Sequence, residues 1–120
     1  MVVPNKNKGL KRIWNAAFYS VSGIISCYKT EESFRQELCL AVIFLPLGAW
    51  LGDGSIEKLL LTGSVFLVLI IELLNSAIEK AVDRISFEKH ELSKEAKDMG
   101  SAAIFLSIIM CLVTWVVILL

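Results

Sequence analysis

The sequence predicts an all-α membrane protein, with an N-terminal amphipathic helix on the membrane surface followed by three transmembrane helices. Three observations carry this. Hydrophobic residues make up 56% of the 120 and charged residues only 20%, more apolar than a soluble domain of that size. The stretches 38–52, 59–71 and 102–120 contain no charged residue. The basic residues cluster before the first stretch and between the second and third. With 120 residues, the chain is expected to form one domain, 1–120. The formal net charge is zero, so bulk charge gives no reason to expect nucleic-acid binding.

The surface helix is expected over 10–28. Leu10, Ile13, Trp14, Ala17, Phe18, Val21, Ile24, Ile25 and Tyr28 recur at helical spacing, while Lys11, Arg12, Asn15, Tyr19, Ser22 and Ser26 fall off that stripe. Lys6 and Lys8 precede it, and a basic flank suits an anionic membrane surface. Residues 1–8 are polar, with no short apolar run and cleavage site after them, so no signal peptide is expected. Thr30-Glu31-Glu32-Ser33 is read as a break.

Membrane helices with cytoplasmic extensions are expected at about 36–52, 56–84 and 95–120. The first two apolar runs are short against the roughly 20 residues that a perpendicular span needs, so polar residues must extend them. Pro46 is a candidate kink, and Gly52-Asp53-Gly54-Ser55 is turn-like. Lys6, Lys8, Lys11, Arg12, Lys29 and Arg35 lie before the first run, five basic residues fall within 80–97, and Lys58 stands alone near the Gly52 turn. The positive-inside rule then puts the N-terminus and 80–97 in the cytoplasm and Leu120 on the other side. Cys27, Cys39 and Cys111 have spacings that suit neither a metal knuckle nor a redox pair. They are read as reduced apolar fillers.

The chemistry centres on residues 72–83. At about 100° per residue, Glu72, Asn75, Glu79 and Asp83 share one helix face, bordered by Ser76. Leu61, Val65 and Val68 lie upstream on the same line. One face thus turns from apolar to acidic where the membrane should end. A carboxylate at the centre of a spanning helix costs about 2.5–3.5 kcal/mol on insertion scales. A metal ion is the economical compensation, and Mg²⁺ takes one or two carboxylates plus waters and phosphate oxygens. Lys97 and Asp98 precede Gly100-Ser101-Ala102-Ala103, whose small side chains admit a neighbouring helix. Lys97 could reach a phosphate as a point charge. Either Glu31 or Glu32 could add a second metal ligand, and residue chemistry does not choose between them. No GxxxxGK[ST], GxGxxG or HExxH is present. Phosphoryl transfer needs none of these, only in-line positioning, charge neutralisation and an acceptor for the hydroxyl proton.

These residues resemble the prokaryotic diacylglycerol kinases of bacterial inner membranes. The likeness rests on Glu32-Ser33-Phe34-Arg35-Gln36-Glu37, on Ile71-Glu72-Leu73-Leu74-Asn75-Ser76-Ala77-Ile78-Glu79, on Val82-Asp83-Arg84-Ile85, and on His90-Glu91-Leu92-Ser93 through Ala96-Lys97-Asp98-Met99-Gly100-Ser101-Ala102-Ala103. The resemblance implies a homotrimer with active sites between subunits at the cytoplasmic face. It implies that Glu72 is the general base for the lipid hydroxyl, supported by Asn75, and that Glu31 and Glu79 hold Mg²⁺ with ATP. It further implies that Lys97 contacts the phosphates, that Asp98 buttresses that site, and that Arg12, Tyr19, Asp83, Glu88 and His90 line the nucleotide pocket. Ala17, Glu72 and Ser101 would meet the lipid substrate. A sister branch, the undecaprenol kinases, tends to carry Thr at position 76, a His-Pro pair near position 90 and an Ala-rich run at 99–101. Here Ser76, His90-Glu91 and Met99-Gly100-Ser101 follow the diacylglycerol branch. The competing reading from another class is a small oligomeric ion channel lined by the acidic stripe.

Overall fold

The computed structural model describes residues 8–85 and 90–120, in which all regular structure is α-helical. The helices are α1 (Leu10–Thr30), α2 (Glu32–Leu51), α3 (Gly54–Ile85) and α4 (Glu91–Leu119). The last three are long and apolar enough to cross a membrane. At 1.5 Å per residue, the 32 residues of α3 reach about 48 Å, well beyond a hydrocarbon core of about 30 Å.

The helix ends differ from the sequence expectation for local reasons. The break expected at 30–33 shrinks to Glu31, whose backbone is extended (φ −120°, ψ 111°) while its N–H still donates to Cys27 O at 2.8 Å. The Arg35 guanidinium donates back to Tyr28 O at 2.7 Å and Lys29 O at 3.3 Å. Carbonyls left open at the end of α1 are thus met by a cation from the next helix. Between α2 and α3 the turn narrows to Gly52 and Asp53. The Asp53 N–H donates to Glu57 Oε1 at 3.0 Å, and Gly54 opens α3 at φ +83°, where a side chain would be strained. Pro46 lies inside α2 without ending it. His90 is the N-cap of α4, its Nδ1 accepting from Leu92 N–H at 3.1 Å, so the helix starts at Glu91 rather than near 95.

The central helix is α3, which packs against both α2 and α4. Leu61 and Val68 on α3 are buried, as are Phe34 and Ala41 on α2. Gly48 lets α2 approach closely: a Cβ there would stand 3.1 Å from Leu61 Cβ and 3.2 Å from the Trp115 ring. Trp115 Nε1–H in turn donates to Leu61 O and Ser64 Oγ, both at 3.2 Å, and its ring meets Phe44 edge-on at 5.4 Å. The indole thereby ties α4 to α3 with its polar atom satisfied. Outward-facing Val42, Ile43, Phe66, Ile70, Phe105, Leu106 and Val117 are exposed, an apolar surface too extensive for a water-soluble monomer. In α1 only Cys27 is buried. Its Trp14 and Phe18 stay exposed and pair edge-on at 5.4 Å.

Overfilling the α2–α3 contact should therefore be graded by size. Gly48→Ala should be mildly destabilising and Gly48→Leu should cost about 1–3 kcal/mol, read as the unfolding midpoint in detergent micelles. Equal midpoints for the two variants would contradict this packing.

Candidate active site

The acidic stripe of α3 follows directly on its uncharged run, and its first member is deeply buried. Glu72 is 3% exposed, although it follows the uncharged run 59–71. Its Oε2 accepts from the Ser33 hydroxyl on the first turn of α2 at 3.3 Å. The carboxylates of Glu31, Glu37 and Glu79 lie near enough for their charge to act on Glu72. Two of these, Glu31 and Glu79, are sequence-expected site residues. The third, Glu37, is not among the expected site residues.

One turn along α3, Asn75 is also buried, and its Nδ2 donates to Glu79 Oε1 at 3.1 Å. This i,i+4 bond orients the Glu79 carboxylate. The Asn75 Oδ1 is buried and, among the described residues, has no hydrogen-bond partner. It rests against Gly100 of α4, where any Cβ would overlap it. The glycine in the small-residue run is thus where α4 closes over the stripe, as the sequence led us to expect. Ser76 is buried beside it.

Further out, Asp83 Oδ1 accepts from Lys97 Nζ at 2.6 Å. This pair links α3 to α4 across the chain segment between them. Asp98, expected to buttress the phosphate site, pairs with Lys94 one turn away at 2.7 Å, exposed on α4 and next in sequence to Lys97. Lys80 Nζ donates to Thr30 Oγ1 at 2.8 Å and lies 3.9 Å from Glu31 Oε2. It brings a cation to the α1–α2 junction that sequence reading did not single out. His90 serves as the α4 cap, and Ser101 is exposed beside Gly100. Arg12, Ala17 and Tyr19 lie exposed on α1, and the described contacts do not tie them to the stripe. Glu88 lies outside the described residues.

Among the described residues, no set of three or more His, Cys, Asp or Glu side chains closes around a metal position. Mg²⁺ does not require such a set, because one or two carboxylates with phosphate and water oxygens suffice. Glu31 and Glu79, both near Glu72, fit that donor chemistry. The site therefore combines a buried carboxylate at the apolar edge, two carboxylates suited to a hard divalent ion, and an ammonium held between α3 and α4.

Residues 18–119 match the family described as Prokaryotic diacylglycerol kinase. A diacylglycerol kinase of Pseudomonas aeruginosa is 49% identical over 112 residues, covering 93% of this chain and 91% of the relative. One from Escherichia coli is 46% identical over 115 residues, covering 96% and 94%. One from Haemophilus influenzae is 46% identical over 110 residues, covering 92% and 93%. Matched along most of its length by the family and by relatives close to half identical, the chain belongs to the prokaryotic diacylglycerol kinase family.

Proposed function

We propose that this chain is a lipid kinase that transfers the γ-phosphoryl group of ATP to the hydroxyl of diacylglycerol, giving phosphatidic acid and ADP. The observation that carries this reading is the buried Glu72 carboxylate at the junction of apolar and acidic faces on α3. There a lipid hydroxyl arriving sideways from the bilayer and a phosphate arriving from the aqueous side can meet.

Glu72 acts as general base. The lipid hydroxyl oxygen attacks the γ-phosphorus in line, the bond from phosphorus to the β–γ bridging oxygen breaks, and Glu72 takes the hydroxyl proton. Asn75 supports Glu72 and, through its bond to Glu79, fixes the metal-binding carboxylate. Glu31 and Glu79 would hold Mg²⁺ with ATP, and the ion would supply neutralisation of phosphate charge. Lys97, kept between α3 and α4 by Asp83, steadies the phosphates. Arg12, Tyr19, Asp83, Glu88 and His90 line the nucleotide pocket, Asp98 supports the Lys97 region, and Ala17 and Ser101 border the lipid. Direct transfer needs no phosphoenzyme.

The active assembly is a homotrimer with sites between subunits. The exposed positions of Arg12, Ala17 and Tyr19 support this, since they leave α1 free to serve a neighbouring subunit. The membrane is the bacterial inner membrane, with the stripe, the N-terminus and α1 on the cytoplasmic side by the distribution of basic residues. Below Glu72 the α3 face continues through buried Val68 and Leu61. An apolar face there supports a kinase over an ion channel, which would need polar groups along the whole path.

Labelled γ-phosphate from ATP with Mg²⁺ should appear in phosphatidic acid when diacylglycerol and undecaprenol are offered side by side in mixed micelles. Glu72→Gln should lower turnover by about 10²–10⁴-fold with assembly and unfolding midpoint preserved. Label chiefly in undecaprenyl phosphate would overturn the substrate assignment, and wild-type turnover in Glu72→Gln would remove Glu72 as the base. Lys97→Met should lower kcat/KM for ATP by about 10²-fold, the scale of one lost charge-stabilising donor. Unchanged ATP kinetics would exclude Lys97 from the phosphates.

A further inference from the structure

Hydroxyl groups on membrane helices ordinarily bond back to a carbonyl of their own helix. Ser20, Thr30, Thr62, Ser107 and Thr114 do so here, at 2.7–2.9 Å. Ser33 does not. It stands on the first turn of α2, so the carbonyl four residues back is that of Lys29, across the Glu31 break and already in contact with the Arg35 guanidinium. The Ser33 hydroxyl donates instead to Glu72 Oε2 on α3, at 3.3 Å. Among the described residues it is the hydrogen-bond donor that the Glu72 side chain has.

From this geometry we infer that Ser33 is a positioning residue for Glu72, fixing one carboxylate oxygen so that the other faces the lipid hydroxyl; this rests on the reading of Glu72 as general base. Glutamate has three side-chain torsions, and Glu31, Glu37 and Glu79 all repel a second negative charge close by. A donor on Oε2 opposes that repulsion and selects one orientation. When Oε1 takes the proton from the lipid, Oε2 becomes the carbonyl oxygen of a neutral acid and still accepts from Ser33. The same bond therefore serves both protonation states, and Ser33 itself neither gains nor loses a proton. Its place on α2 also makes the α1–α2 elbow part of the catalytic geometry: Arg35, which closes that elbow by capping α1, lies half a turn from Ser33 on the same helix.

The test uses the full chain with Mg²⁺-ATP and diacylglycerol in mixed micelles. Ser33→Ala should lower kcat about five- to tenfold, the scale of a misplaced catalytic group, with KM for both substrates within about twofold and the unfolding midpoint unchanged. Ser33→Thr, which keeps the hydroxyl, should restore most of the rate. On a Glu72→Gln background, Ser33→Ala should have no further effect. Wild-type kcat in Ser33→Ala, a loss confined to KM, or Ser33→Thr as slow as Ser33→Ala would overturn the inference. Those outcomes with Glu72→Gln inactive would leave Glu72 as the base, whereas active Glu72→Gln would remove both readings together.

Discussion

Burying a carboxylate on a helix that is otherwise made to face lipid is the constraint around which the rest of the bundle is arranged. Glu72 is withdrawn from solvent, and an unaccompanied charge there would be costly. Three features of the packed helices surround it, and the first of them bonds Glu72 itself. Ser33 reaches from α2 to one of its oxygens. Asn75 ties the next carboxylate, Glu79, into a fixed position. Gly100 on α4 gives up its side chain so that α4 can close against Asn75. Each comes from a different helix, so the stripe exists only when α2, α3 and α4 are packed. The close approach of Gly100 to Asn75 Oδ1 shows how tightly α4 closes there.

The length of α3 places this chemistry. One continuous helix carries Leu61 and Val68 in the packed interior and then Glu72, Asn75, Glu79 and Asp83. Because α3 is longer than a hydrocarbon core is thick, its length lets the acidic end extend beyond a bilayer without a break in the backbone. The polar stripe and the packed apolar interior are thus carried by the same helix. The Trp115 bond to α3 and the close approach at Gly48 hold α4 and α2 against that shared axis. The Asp83–Lys97 pair repeats the connection near the aqueous end.

Much of this was legible in the sequence because its signals are local. The uncharged runs gave the three apolar helices, and the 3.6-residue period put Glu72, Asn75 and Glu79 on one face. The helix ends were less legible, since apolar runs mark where lipid contact is required and not where helix stops. The far end of α3 is the exception: nothing between Glu72 and Ile85 interrupts a helix, so the expected 56–84 lies close to the observed Gly54–Ile85. The width of the break at Glu31 depends on Arg35 reaching back to α1, and the start of α4 on the His90 cap. Ser33 was hidden for a further reason. Its role depends on the elbow at Glu31 bringing the first turn of α2 against α3, and no spacing within one segment records a contact across 39 positions. The choice of Glu31 over Glu32 came only from family resemblance, and Lys80 beside Glu31 was lost among the other cytoplasmic cations.

The central claim is that Glu72 accepts a proton and never carries the phosphoryl group. The stereochemical course at phosphorus tests that most directly, using ATP made chiral at its γ-phosphorus with oxygen isotopes and analysing the phosphatidic acid formed. A single in-line displacement by the lipid hydroxyl predicts inversion of configuration. Retention would mean two displacements through a phosphorylated side chain and would contradict direct transfer to the lipid hydroxyl.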